Sequence, residues 1–516
     1  MRAYFSRRRF LGATLYGALS ACTGGNGSLF QPLPQRQLEH ALAQLDSMAA
    51  AIMARTQVPG MALALVRRRA DGVVETLHAK GYGQRAVDDP AAVDADTVFQ
   101  LASLSKSLGA SVVAHQVGAG RTHWNTPVRQ HLPWFTLSDP DAGGKVTIGD
   151  LYSHSSGLPG MAGNIQEAIG FDQDYILQRL RDLPLAPIGS RYAYSNFGMT
   201  AAGVAVAQAA GLDWASLCER DLYQPLGMTR TSSRYADFAT RGNRALGHIR
   251  RNGAWVRCEV RQPDAQAPAG GVSSSLNDLT HWMGMMLGEG EHEGRRIIDR
   301  AALRAALVPR IESQSAADFG GLSHYGYGFV IAHSGAGRLI YRHSGAFELG
   351  ISTHFVLVPE IGIGFAILLN AFLIGTPEAF GLELLDVLEF GRAQQDWWTP
   401  INAIYAAFTG PIGSLAGQPA PAQPQAPRAL ADYAGVYRNP HYGPLQIGVE
   451  GGQLVLTVGP RAQPMALTHW DGDRFVWEPD QDDQNPGSRY LVEFVGAQVK
   501  FEYLEDDGMG IFTRDP

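Results

Sequence analysis

Ser103 and Lys106 are the residues of this chain whose types and spacing most directly imply chemistry. Of its 42 basic residues only four are lysine, at Lys80, Lys106, Lys145 and Lys500. Arginine takes the rest, and it cannot be deprotonated in a protein, whereas a buried lysine can lose its proton and act as a base. Lys106 follows Ser103 by three positions, and no other serine in the chain has a lysine at that spacing. On a helix, positions i and i+3 share a face, so the amine can reach the hydroxyl. That is the S-x-x-K arrangement of an activated serine nucleophile.

Two further segments supply groups of the right kind. Tyr194-Ser195-Asn196 places a phenol and an amide two residues apart, where an extended chain projects both to one side. His343-Ser344-Gly345 falls at the end of a predicted strand, residues 338–342, and its glycine permits close approach of backbone to a ligand. Tyr152-Ser-His-Ser-Ser-Gly-Leu-Pro159 and Pro268-Ala-Gly-Gly271 are equally distinctive. No Gly-x-Ser-x-Gly elbow, no His-Glu-x-x-His and no ligand-spaced cluster of histidine and cysteine occurs, so neither a metal nor a cofactor is expected.

The elements that must position these groups are legible as hydrophobic pattern. At 516 residues the chain is too long for one ordinary core. Residues 38–55 have helical spacing, and residues 61–66 and 73–81 read as a strand pair around the turn Ala70-Asp71-Gly72. The residues from about 110 to 310 are mostly helical. Strands are predicted over 327–332, 338–342, 351–358 and 361–369, then a helix over 377–391. Strands at both ends with helices between them favour an α+β layer in which the two ends share one sheet. Residues 396–428 read as a Pro-rich linker. Residues 429–516 carry short alternating runs between Gly and Asp turns, the pattern of a small all-β domain.

The formal charge is −7, and no basic cluster lies beyond the N-terminus, which argues against nucleic acid as a partner. Residues 1–21 read as an export signal. Ser6-Arg-Arg-Arg-Phe-Leu-Gly12 resembles a twin-arginine motif, and the apolar run from Phe10 to Ala21 is too short to span a bilayer. The run ends at Leu19-Ser20-Ala21-Cys22, which resembles a lipobox. Lipidation of Cys22 is expected, with residues 22–36 as a tether to the membrane on the periplasmic or cell-envelope side. The other two cysteines, Cys218 and Cys258, could pair in an oxidising compartment or remain buried thiols.

Taken in order, Phe99-Gln-Leu-Ala-Ser-Leu-Ser-Lys106, Ser153-His-Ser-Ser-Gly-Leu-Pro159, Tyr194-Ser-Asn196, Pro268-Ala-Gly-Gly271 and His343-Ser-Gly345 resemble the serine beta-lactamase-related hydrolases. That group includes class C beta-lactamases, D,D-carboxypeptidases, D-aminopeptidases and some esterases. The resemblance covers about residues 40–392, and the segment from Tyr433-Ala-Gly-Val-Tyr437 onward looks like the lipocalin-like β-domain of some members. It implies an antiparallel sheet flanked by helices, a helical subdomain, and an active site between them within residues 37–395. It implies Ser103 as nucleophile, Lys106 or Tyr194 as base, and Asn196 holding a substrate amide. Ser344, Gly345 and Ala346 line the substrate, with the backbone N–H groups of Ser103 and Ala346 as oxyanion hole. The expected substrate is a small molecule or peptide, hydrolysed through an acyl-enzyme. A D-residue peptide leads, with an ester, a beta-lactam or a non-catalytic penicillin-binding role as alternatives.

One departure matters. Many relatives carry Lys-Thr-Gly where this chain has His343-Ser344-Gly345, so a permanent positive charge is replaced by a group that titrates near neutrality. The expectation is that His343 meets a substrate carboxylate or steers a proton, and that activity changes between about pH 5.5 and 7.5.

Overall fold

The computed structural model describes residues 30–313, 322–406, 409–482 and 484–516. Cys22, the export signal and the first part of the tether lie outside the described residues.

Helix α1 (Gln35–Thr56) is followed by β1 (Gly60–Arg68), β2 (Val74–Ala86) and β3 (Asp89–Ala92). The helical region opens with α2 (Ser105–Gly118) and includes α3 (Asn164–Ala168), α4 (Asn196–Ala209) and α5 (Ala267–Gly270). The chain then returns as β4 (Ile311–Ser313), β5 (Ser323–Tyr325), β6 (Val330–His333), β7 (Leu339–Phe347), β8 (Ile351–Val358) and β9 (Ile363–Leu369), closing with α6 (Thr376–Phe390). These nine strands form one antiparallel sheet in the order β4-β5-β6-β7-β8-β9-β1-β2-β3.

The centre of that sheet explains the sequence of β1. Gly60-Met-Ala-Leu-Ala-Leu-Val66 is buried on both faces, as a strand covered by helices on either side must be. Met61, Leu63 and Leu65 pack with α1 and α6, including Leu45, Phe380 and Leu384. Ala62, Ala64 and Val66 face the other way, into a core with Leu108 and Val112 of α2 and Phe355 of β8. Each fully buried aliphatic side chain contributes about 1.5–3 kcal/mol, so the core on this second face holds α2 firmly against the sheet.

Three expectations are adjusted. The strand predicted over 338–342 runs on to Phe347, so His343-Ser344-Gly345 lies inside a strand and not at its end. The strand predicted over 327–332 is confined to Val330–His333, because Gly328 turns the chain with φ +79°. The Pro-rich linker begins with a helix, α7 (Trp398–Ala406), which packs on α6 through residues such as Ile401. Cys218 and Cys258 are both buried free thiols.

The C-terminal domain is a closed antiparallel barrel of eight strands, β10 (Gly435–Asn439), β11 (Gly443–Glu450), β12 (Gln453–Val458), β13 (Met465–Asp471), β14 (Arg474–Trp477), β15 (Tyr490–Val495), β16 (Gln498–Phe501) and β17 (Ile511–Arg514). Closure comes from β17 pairing back onto β10. It removes exposed edges that a small sheet would otherwise carry. Its interior is filled by side chains, among them Tyr433, Phe475, Trp477, Phe494 and Phe512.

Candidate active site

Ser103 sits in a single 3₁₀ turn, Ala102–Leu104, that runs directly into α2. Ala102 is held at φ +48°, a left-handed conformation that costs a non-glycine residue about 1–2 kcal/mol. Its neighbours impose it. Leu101 N–H donates to Val272 O at 2.8 Å, Leu101 O accepts from Thr353 Oγ1 at 2.8 Å, and Ala102 O accepts from Ser105 Oγ at 2.6 Å. The kink sets Ser103 Oγ at the start of the helix, where the dipole favours developing negative charge.

Lys106 is fully buried one turn on, with Nζ 3.1 Å from Ser103 Oγ. The amine also donates to Asn196 Oδ1 at 2.7 Å and to Ala269 O at 2.8 Å. The Pro268-Ala-Gly-Gly segment thereby acquires a role: its α5 turn delivers the Ala269 carbonyl. It fits against α4 because Gly203 has no side chain there, where a Cβ would lie 2.6 Å from Pro268. Burial pushes Lys106 well below the ordinary lysine pKa. An uncharged amine has two hydrogens and one lone pair. In that state the hydrogens serve Asn196 and Ala269 and the lone pair is left for the Ser103 hydroxyl, whereas the ammonium donates to all three.

Tyr194 approaches Ser103 from the other side. Its hydroxyl donates to Ser103 Oγ at 2.7 Å, and the Lys106 amine stands 4.7 Å from its ring centroid. Burial pushes the phenol up from its ordinary value, more than the bond to Ser103 pulls it down. The resting side chain is therefore a neutral phenol, not the phenolate that the neighbouring lysine charge would favour. Asn196 caps this group: it opens α4, holds Lys106, and donates from Nδ2 to Asn164 Oδ1 at 3.3 Å.

Strand β7 forms the facing wall. Strand β6 pairs with it only over Leu339–Arg342, so the edge of β7 from His343 onward is left to the Ser103 turn. A Cβ on Gly345 would lie 2.5 Å from Leu101 O and 2.8 Å from Ser103 N, so only glycine lets the strand come this close. The backbone of Ala346 follows on the same edge.

The side chains of β7 divide by the alternation of the strand. His343 and Gly345 face α2, whereas Ser344 faces α6, and its hydroxyl meets His354 Nδ1 at 3.0 Å. Ser344 therefore contributes backbone, not hydroxyl, to the site wall.

His343 also differs from expectation. It is buried, its Nε2 is 2.8 Å from the Tyr325 hydroxyl, and its Nδ1 is 2.7 Å from its neighbour's carbonyl, Ser344 O. The Nδ1–H tautomer satisfies both, with Tyr325 donating to Nε2. Burial, then the Lys106 charge, lowers the His343 pKa to about 3. The imidazole is thus neutral through pH 5.5–7.5, which argues against the expected titration in that window. His343→Gln should leave the acid limb of the pH–rate profile between pH 5 and 8 within about 0.2 units of wild type, because no proton is exchanged there. A profile measured on both proteins with one chromogenic ester checks this.

Two further residues join the site, His154 from the Ser153–Pro159 motif and Tyr325 from outside any motif. His154 lies with its ring centroid 4.5 Å from that of Tyr194, and its Nδ1 accepts from Ser195 N–H at 3.2 Å. Tyr325 joins His343 to this cluster, with its ring 4.8 Å from His154. Tyr325 follows no motif spacing, and only the pairing of β5 with β6 brings it beside His343.

Comparison with known proteins agrees with this architecture. The family described as Beta-lactamase matches residues 45–384, and a domain of unknown function, DUF3471, matches residues 419–514. Penicillin-binding protein 4 of Amycolatopsis lactamdurans is 28% identical over 62% of this chain and 83% of that protein. The D-alanyl-D-alanine-carboxypeptidase/endopeptidase AmpH of Escherichia coli K12 is 24% identical over 66% of this chain and 87% of its own length. The unguisins hydrolase ungD of Aspergillus violaceofuscus is 26% identical, but the match spans only 42% of it. The octameric penicillin-binding protein homologue from Pyrococcus abyssi shares the fold at TM-score 0.59 and 21% identity, over 89% of this chain and 98% of that one. With a family match over most of the chain and the serine, lysine and tyrosine in bonding contact where α2 meets the sheet, the chain belongs to the beta-lactamase family.

Proposed function

We propose that the protein is an exported, lipid-anchored serine hydrolase that cleaves amide bonds of D-residue peptides through an acyl-enzyme on Ser103. The observation that carries this reading is the three-way contact of Ser103 Oγ with Lys106 Nζ at 3.1 Å and Tyr194 Oη at 2.7 Å. Ser103 Oγ attacks the acyl carbonyl while its proton passes to the Lys106 lone pair. Negative charge on the carbonyl oxygen is met by the N–H groups of Ser103 and Ala346. The neutral Tyr194 phenol and the Lys106 ammonium then relay a proton to the leaving nitrogen as the C–N bond breaks. Water enters by the reverse proton path and releases the acid.

Lys106 is the base in this reading, because Tyr194 already donates its hydrogen to Ser103 and burial keeps that hydrogen in place. The D-alanyl-D-alanine-carboxypeptidase/endopeptidase activity in the name of AmpH supports the D-peptide substrate. One observation favours a second reading, a carboxylesterase: His343 is neutral and already occupied by Tyr325, so it offers no fixed charge to a substrate carboxylate.

Mass spectrometry after incubation with a fluorophosphonate and with penicillin tests both. A phosphonyl adduct on Ser103 together with a long-lived penicilloyl adduct is expected for the D-peptidase. A phosphonyl adduct alone moves the reading to the esterase, and no adduct with either reagent removes the hydrolase. The anchor is tested separately: Cys22→Ser should move the protein from the membrane to the soluble fraction or block its processing, and wild type found soluble with an unmodified Cys22 overturns it.

A further inference from the structure

Glu167 lies beside the catalytic cluster at 6% exposure, and no step above uses it. Its Oε2 accepts from Arg261 Nη2 at 2.5 Å and from Gln266 Nε2. Both partners lead into the site. Gln266 immediately precedes α5, whose Ala269 carbonyl takes a hydrogen from Lys106 Nζ at 2.8 Å. Arg261 has its carbonyl bonded by Gln100 Nε2 at 2.7 Å, and its guanidinium stands 5.8 Å from the ring of Phe347, at the end of β7.

The same short stretch of chain is gripped by the C-terminal barrel. Ile169, two residues on, is buried in the barrel's own core. Its carbonyl accepts from Arg461 N–H at 3.0 Å, and Gln166 contacts the His441 ring. Residues 166–169 therefore bear both a buried carboxylate, bonded through Gln266 to the segment whose Ala269 carbonyl holds Lys106, and the anchor of a separate domain.

The groups around Lys106 leave Glu167 a distinct electrostatic role. Facing the amine are Ser103, Asn196, Tyr194, His154, His343 and the Ala269 carbonyl. Burial keeps both histidines uncharged and the Tyr194 phenol protonated. Glu167 is the acid whose charge raises the Lys106 pKa against burial. Burial raises the Glu167 pKa in turn, opposed by Arg261, by Gln266 and by Arg461 of the barrel. A lysine desolvated without any counter-charge becomes too weak a base to take the Ser103 proton effectively.

We propose that Glu167 is a positioning residue that acts on Lys106 as a buried counter-charge, and that docking of the C-terminal barrel on residues 166–169 holds it there. The inference rests on Lys106 being the base. It makes the barrel a support of the active site, and not only an appended module.

The test is the rate of fluorophosphonate labelling of Ser103 across pH 5–10, which needs no knowledge of the natural substrate. Glu167→Gln keeps the shape and removes the charge. It should move the acid limb down by about 0.5–1 pH unit and lower the plateau about 3–10-fold, since a weaker base titrates lower and transfers the proton more slowly. Glu167→Asp keeps the charge, and its limb should stay with wild type even where packing slows the rate. Ile169→Ala, which loosens the barrel contact, should shift the limb in the same direction as Glu167→Gln by a smaller amount. An unmoved limb in Glu167→Gln overturns the counter-charge, as does an equal shift in Glu167→Asp. A shift in Glu167→Gln with none in Ile169→Ala overturns the role of the barrel. Wild type that fails to label, or labels with no acid limb, overturns instead the reading of Lys106 as base.

Discussion

Ser103→Ala is expected to lower hydrolysis of any substrate by at least about a thousandfold, because among the described residues no second group in the site is placed as a nucleophile. Lys106→Ala should be nearly as damaging. Lys106→Arg is the sharper variant. Arginine restores a positive charge and a donor, but cannot accept a proton. It must also fit where the lysine is fully enclosed between Asn196 Oδ1 and Ala269 O, with no room for a planar fork. Activity should therefore stay within about tenfold of Lys106→Ala. Steady-state kinetics on a chromogenic ester decide the matter: an arginine variant retaining most of the wild-type kcat would reduce Lys106 to a charge and move the base to Tyr194.

Gly345→Ala has the second-largest expected effect, through geometry and not chemistry. One added methyl meets two backbone atoms, Leu101 O at 2.5 Å and Ser103 N at 2.8 Å, and the Thr353 hydroxyl at 2.5 Å. Backbone held by a strand on one side and a strained turn on the other cannot move aside cheaply. The overpacking should cost about 1–3 kcal/mol of stability. The larger loss is catalytic. Separating β7 from the Ser103 turn spreads the Ser103 and Ala346 N–H groups proposed to converge on one oxygen, and a lost oxyanion donor costs about 10²–10³ in kcat. Gly144→Ala is the control: nothing lies within 4 Å of its added methyl, and it should leave both Tm and kcat unchanged. Equal activities for the two variants would sink the close-approach account.

How much of this was legible in the sequence follows the range of the interactions. Ser103 and Lys106 are three positions apart, so helix periodicity alone predicts their contact. The apolar runs of β1, β8 and β9 announce their burial. The neutrality of His343 was not legible. It depends on the Tyr325 hydroxyl and on enclosure by α2 and β7, which only the assembled sheet supplies. The same holds for Ser344, whose outward direction follows from the strand continuing through the motif. The Pro-rich segment hid α7, whose Trp398 and Ile401 flank Pro400 in its first turn and whose partner is α6. The role of Glu167 left no signal at all: its partners Arg261 and Gln266 lie nearly a hundred positions away.

The pairing of β1 with β9 bears on how the chain reaches its native state. Gly60 N–H is bonded to Asn370 Oδ1, 310 positions along the chain. A ribosome working at about 5–20 residues per second therefore releases β1 many seconds before its partner exists. Through that interval Gly60-Met-Ala-Leu-Ala-Leu-Val66 is an apolar, uncharged stretch with an open edge, the kind of segment that pairs with other nascent chains. Its early neighbour β2 can cover only one edge. The catalytic turn cannot be set until β7, β8 and β9 arrive, so the nucleophile is assembled last, when the sheet closes around the strand that was made first.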